Sequence, residues 1–228
     1  MGGLFKFGGK NIMRFSSDEL TFLTLMTNGP APFGIFFDKI GKDCATDRAK
    51  TAKNELIKKG ILSEAGITPK GFAAVKLWEE YRYASTYVVI KGSIIGLLEN
   101  RRCIVIVKEG NDYEIASGDR TAILYSCLKE YPALQRGDRK DKVTFLDIEM
   151  DYETVRKKIA TLGKNFFTLG VFSGEGRQGM ERFIYWDDEY IYSYDPHTHT
   201  CKTEEPSSVR KLLVDALELN TEVLSNGV

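Results

Sequence analysis

Asp195, His197, His199 and Cys201 alternate within seven residues near the end of the chain. On an extended strand every second side chain projects from the same face, so a carboxylate, two imidazoles and a thiolate would share one side. Those are zinc-ligand types. Metal centres, however, usually draw ligands from separate segments, and Pro196 turns the chain at the start of this stretch. The threonines between the histidines suit a solvated edge strand equally well. No metal and no cofactor are expected. A second pattern, Gly174-Glu175-Gly176-Arg177-Gln178-Gly179, spells G-x-G-x-x-G after an apolar strand. Dinucleotide binding requires a helix next, because the free amides of the helix N-terminus hold the pyrophosphate. Met180 to Trp186 is strand-like instead, which predicts a hairpin connection. His197 and His199 are the only histidines, so Cys–His or Ser–His catalysis would have to run through this one stretch. The chain has no G-x-S-x-G, H-E-x-x-H or P-loop pattern, and it is not expected to be an enzyme.

Such groups need elements to carry them. With 228 residues, 43% hydrophobic and 28% charged, the chain is long enough to bury a full core. Lysine plus arginine equals aspartate plus glutamate at 32 each, which excludes a global basic field for nucleic acid. Apolar runs such as Ile104–Val107 fall far short of the ~20 residues a membrane span needs. Cys44, Cys103, Cys127 and Cys201 lie 59, 24 and 74 apart with no C-x-x-C pair, the usage of reduced interior thiols. The expected compartment is cytoplasmic, with a loose glycine-rich arm through Lys10.

The pattern predicts an α+β fold: a central antiparallel sheet flanked by helices, built as a pseudo-two-fold repeat of two α/β halves. Residues 1–134 form the first half and 135–228 the second, within one compact domain. A helical section comes first. Ser17 caps a helix stopped by Asn28-Gly29-Pro30, Phe33–Ile40 makes a buried turn or two, and Ala45–Lys59 is a helix ended by Gly60. Thr68-Pro69 caps the next helix.

A strand-strand-strand-helix unit then occurs twice, over 86–131 and 166–219. In the first, Thr86–Ile90, Cys103–Val107 and Tyr113–Ala116 are strands and Asp119 caps a helix, while Ile94–Leu98 is apolar without a firm assignment. Gln135–Lys142 is a polar linker. Val143–Met150 is a strand, and Asp151 caps a helix. The second unit has strands at Phe166–Phe172, Phe183–Trp186 and Glu189–Tyr194, then a helix from Pro206 to Leu219. A two-residue loop at Asp187-Asp188 would pair Tyr185 with Tyr190, Ile184 with Ile191 and Phe183 with Tyr192. The four aromatics then form a ladder on one face, a core feature rather than an exposed strip.

Residues 39–59 hold seven basic residues against three acids, a net of +4. Ala52 to Leu62 resembles the end of a winged-helix recognition helix, so a winged-helix-like DNA-binding transcriptional regulator is the alternative reading. Ile61–Ile67 offers a single short strand where a wing needs two, which favours a solvated face.

The succession of phrases carries a family likeness. Ser17-Asp18-Glu19-Leu20 opens a helix, and Asn28-Gly29-Pro30-Ala31-Pro32 follows it. Leu56-Ile57-Lys58-Lys59-Gly60-Ile61-Leu62 and Ile67-Thr68-Pro69-Lys70-Gly71-Phe72 then precede a helix and a sheet. This order is similar to the EspG family, cytosolic proteins associated with type VII (ESX) secretion. The resemblance implies a chaperone or adaptor that binds a helical-hairpin (WXG or PE–PPE-like) secreted protein and keeps it soluble for export, without membrane or nucleic acid as partner. By position, the contact residues it implies are Glu99, Asn100, Arg101 and Arg102 between strands of the first unit, and Glu175, Arg177 and Gln178 in the loop of the second.

Overall fold

Ser16 and Glu19 exchange hydrogen bonds, the Ser16 hydroxyl accepting from the Glu19 N–H and the Glu19 carboxylate from the Ser16 N–H. This capping box converts the first strand, β1 (Met13–Ser16), into the first helix, α1 (Ser17–Thr27). The cap falls one residue earlier than Ser17, the expected one. The structure, a computed structural model, describes residues 12–35, 42–139 and 147–220. Most of the turn expected at Phe33–Ile40, the first half of the strand expected at Val143–Met150 and the N-terminal arm through Lys10 lie outside the described residues.

After α1 come α2 (Lys42–Lys58), a small antiparallel hairpin of β2 (Leu62–Ser63) and β3 (Gly66–Ile67), and α3 (Pro69–Arg82). The hairpin corrects the expectation of one short strand. Two residues per strand are too few for any alternation to reveal. Thr68 accepts from the Gly71 N–H, and Pro69 occupies the first helical position, as expected. Gly71 is required by packing: a Cβ there would sit 1.8 Å from the Ile61 carbonyl oxygen. At the end of α3, Arg82 is buried at 3% exposure. Its guanidinium donates to the Pro30 carbonyl at 2.6 Å and the Thr27 hydroxyl at 2.5 Å, fastening the loop that follows α1.

The first run of strands is β4 (Thr86–Ile90), β5 (Ser93–Leu97), β6 (Arg102–Glu109) and β7 (Asp112–Asp119), closed by α4 (Arg120–Glu130) with Asp119 as its cap. A 3-10 turn (Pro132–Gln135), β8 (Ile148–Glu149) and α5 (Tyr152–Leu162), capped by Asp151, lead to the second run. This is β9 (Phe166–Ser173), β10 (Gln178–Trp186), β11 (Ile191–Asp195) and β12 (Thr200–Glu204), closed by α6 (Pro206–Ala216). Each run therefore has four strands where three were expected. β5 lacks alternation because it is covered on both faces. β12 is short and mostly polar, so its sequence carries little strand signal.

The strands form one ten-stranded sheet in the order β1-β7-β6-β5-β4-β9-β10-β11-β12-β8, with every pairing antiparallel. Outward from the central β4–β9 pair, the order is the same in both directions: the run of four, then the strand that precedes that run's flanking helices. The sheet runs without a break across the boundary expected at 134/135. The fold is α+β.

Two cores lie on opposite faces. On one, Val88, Val105, Phe167, Leu169, Ile184 and Trp186 meet Ile123 and Cys127 of α4 and Val209 and Leu213 of α6. On the other, Trp78 and Tyr81 of α3 and Leu20 and Leu23 of α1 cover Tyr87, Ile104 and Ile106. Val155 of α5 covers Tyr185, Tyr194 and Cys201 farther along that same face. The aromatic ladder is thus core under α5, while α6 covers the reverse side. Its register needs correction: Phe183 pairs with Tyr194, Ile184 with Ser193, Tyr185 with Tyr192 and Trp186 with Ile191. The loop has four residues because the Asp187 carboxylate accepts from the N–H groups of Glu189 and Tyr190, which holds both in the turn. A shift of two keeps every side chain on its expected face.

Candidate partner-binding site at one end of the sheet

Strand register decides which loops can act together. Thr86 at the start of β4 pairs with Leu97 on one side and Ser173 on the other, and Leu97 pairs with Cys103. The β5–β6 turn and the β9–β10 loop therefore leave the sheet at the same end. Their centres are three strand spacings apart, about 14 Å.

In the first of these, Asn100 (φ 54°) and Arg101 (φ 59°) are both left-handed, the requirement of a two-residue I′ hairpin, and asparagine tolerates that region well. The Leu98 N–H donates to the Arg102 carbonyl and the Arg102 N–H to the Glu99 carbonyl, closing the turn. Arg102 pairs with Glu80 of α3 at 2.7 Å. In the second, the Ser173 N–H donates to the Arg177 carbonyl and the Gly176 N–H to the Ser173 carbonyl. This is the expected hairpin connection. The Gly174 N–H also donates to the Ser85 carbonyl at 2.7 Å. A Cβ at Gly174 would stand 2.8 Å from the Ala84 carbonyl oxygen, so glycine lets the loop dock against the entry to β4. Arg177 and Glu175 form an ion pair at 2.7 Å in which both side chains are exposed. Gln178 donates to the Glu181 carboxylate at 2.6 Å, just before the register shifts between Gln178 and Met180.

These pieces border a shallow cleft of about 700 Å³, lined by Ser85, Thr86, Val171, Phe172, Ser173, Gly174 and Glu175, by Arg177, Gln178 and Gly179, and by Glu218. Glu175, Arg177 and Gln178 line it, whereas Glu99, Asn100, Arg101 and Arg102 stand on the neighbouring turn. Ser85, Thr86, Ser173 and Glu218 were missed from sequence. They come from strand ends and the residues after α6, and nothing in their local sequence marks them as neighbours. The arrangement has hydroxyls, an amide and charges of both signs over an apolar floor.

The stretch with ligand chemistry is dispersed by a turn. Residues 196–199 bend the chain, with His199 at φ 55°, so Asp195, His197, His199 and Cys201 do not share a strand face. Asp195 accepts from the His197 N–H and pairs with Arg182 at 2.7 Å. His199 Nδ1 lies 3.0 Å from the Tyr194 hydroxyl, and Cys201 Sγ lies 3.1 Å from the Tyr185 hydroxyl beneath α5. Among the described residues no group of three or more His, Cys, Asp or Glu side chains is placed to hold a metal ion. Cys103, Cys127 and Cys201 are free and buried, and burial pushes all three thiols up, Cys103 and Cys127 to about 12. In the basic segment, Arg48 pairs with Asp18, Lys58 with Glu55 at 2.6 Å and Lys59 with Glu19 at 2.6 Å. Lys50 and Lys53 are exposed, and Lys39 and the Lys42 side chain fall outside the described residues. No described helix is long and apolar enough to cross a membrane.

A family model described as domain of unknown function (DUF5081) matches residues 9–224. No curated protein matches the sequence. Among solved structures, the chain is similar to the Mycobacterium tuberculosis type VII secretion system chaperone EspG5 in complex with a PE25–PPE41 dimer. That likeness has 7% identity and a TM-score of 0.48, and it covers 91% of this chain and 96% of the other.

Proposed function

We propose that this chain, which belongs to the family described as domain of unknown function DUF5081, is a non-enzymatic chaperone or adaptor of type VII secretion. Its partner is a secreted protein built as a helical hairpin, of the WXG or PE–PPE type, held in the cytoplasm until export. One arrangement carries the reading: the β5–β6 turn and the β9–β10 loop emerge at the same end of the sheet around a shallow, mixed-polarity cleft. The phrases at 17–32 and 56–72, in EspG-like order, support it.

The physical task is to cover an apolar helix end that would otherwise associate with itself. A specific interface of standard size buries on the order of 1,600 Å² and needs no bond chemistry. The cleft alone is too small for that. The neighbouring turn at Glu99–Arg102 and the end of α6 would supply the rest. Arg101 and Arg177 would lie in the interface, where arginine is enriched.

The test is co-expression with each helical-hairpin protein of the WXG or PE–PPE type from the same genome, followed by size-exclusion chromatography. A stable complex at about 1:1, weakened at least tenfold by the double change Arg101→Glu and Arg177→Glu, is the expected result. Failure of the wild-type chain to retain any such protein would overturn the proposal. So would a complex indifferent to both reversals.

A further inference from the structure

Arg120 opens α4, where the amide dipoles present their positive end and a cation is disfavoured. It is also 6% exposed, and a buried guanidinium is costly unless acceptors surround it. Neither choice serves α4. Instead the side chain reaches two segments distant in sequence. Nη2 donates to the Leu98 carbonyl and Nε to the Arg102 carbonyl at 3.4 Å, so it holds the β5–β6 turn from beneath. Nη1 donates at 3.4 Å to both the Leu217 carbonyl and the Glu218 carboxylate, at the end of α6. Its backbone N–H adds a bond to the Arg101 carbonyl at 2.8 Å.

The first segment carries Glu99–Arg102, and the second supplies Glu218 to the cleft at the β9–β10 loop. A fixed fork of donors suits this double task, because several acceptors in different directions are satisfied at once. We propose that Arg120 is a positioning residue that couples the β5–β6 turn to the end of α6, so that the two flanks of the sheet-end site move as one rigid unit. The link to partner binding rests on the function proposed above. The coupling itself does not.

Arg120→Met and Arg120→Lys in the full chain separate these points. Amide hydrogen exchange is followed by mass spectrometry in the 98–102 and 217–220 segments, with β9 as internal reference. Arg120→Met is expected to speed exchange at least tenfold in both segments and leave β9 at the wild-type rate. Arg120→Lys, with one ammonium in place of the fork, is expected to restore protection in one segment only. Release of the co-purified helical protein should be at least tenfold faster in Arg120→Met and intermediate in Arg120→Lys.

Loosening of one segment alone in Arg120→Met, loosening that spreads through β9, or full restoration by lysine would each overturn the coupling. Loosening of both flanks with unchanged release would overturn the positioning role. If the wild-type chain retains no partner, the proposed function falls, and the exchange result still decides the coupling.

Discussion

Replacing Lys59 with methionine should destabilise this protein more than neutralising its partner, Glu19, and the asymmetry follows from burial. Glu19 is 2% exposed, while the Lys59 side chain is 38% exposed. One Glu19 oxygen takes both the Lys59 ammonium and the Ser16 N–H at 2.6 Å, and the other has no partner. Removing Lys59 strands a carboxylate in the interior with a single remaining donor, which costs about 3–5 kcal/mol. Methionine keeps the aliphatic packing near Phe15, so the loss reports on the charge. In Glu19→Gln the ammonium can turn toward water and the amide oxygen can still cap α1, so the cost is about 1–2 kcal/mol. Urea unfolding followed by the fluorescence of buried Trp78 and Trp186 measures both. For a chain of this size each kcal/mol lowers Tm by about 2–4 °C, so Lys59→Met should melt about 10 °C below wild type. The double variant should lie nearer Glu19→Gln than Lys59→Met, because the stranded charge is gone. Equal single-variant losses, or a double variant equal to their sum, would refute the reasoning.

Gly71→Ala should destabilise by about 3 kcal/mol or more, since its Cβ would meet backbone at 1.8 Å and the β2–β3 hairpin or α3 must shift; thermal melting checks it. Cys103 and Cys127 should resist iodoacetamide at pH 8 in the folded chain and react only after unfolding, as read by peptide mass spectrometry. Burial raises their folded pKa from 9.0 to about 12, so the unfolded chain gives up these protons first. Stability is then full below about pH 9 and falls as pH rises toward 12, by about 1.4 kcal/mol per thiol per pH unit, and alkaline melts should show this decline. Arg177→Glu should leave Tm within about 2 °C of wild type, because its pair with Glu175 is exposed and such pairs contribute about 0–1 kcal/mol. A loss of partner binding in that variant would therefore report on the surface alone.

Capping and loop chemistry were legible because they act within a few residues. Thr68-Pro69, Asp119 and Asp151 start helices as their types predict, and Gly174–Gly179 connects strands as the following apolar run requires. The second strand of the first run, β5, was harder. Ser93-Ile94-Ile95-Gly96-Leu97 carries no alternation, because a strand covered on both faces has no polar side to display. The Asp187–Tyr190 loop was misjudged because its length depends on a carboxylate folding back onto two amides.

The expected site residues were individually recognisable as loop residues, but their common location was not. Glu99–Arg102 and Glu175–Gln178 are more than seventy positions apart, and only the pairing of β4 with both β5 and β9 puts them at one end. Arg120 and Glu218 are nearly a hundred residues apart. The only local hint was a cation at the wrong pole of its helix.

Local order alone set the types of element, their caps and the apolar stripes that must be buried, because propensity, capping and periodicity are decided within one or two turns of chain. Tertiary structure decided that α6 covers one face of the second run while α5 covers the aromatic ladder on the other, that one sheet spans both halves, and that distant loops share an end. Those outcomes rest on register and on competition among apolar faces for cover, and both arise only when segments far apart in the chain meet.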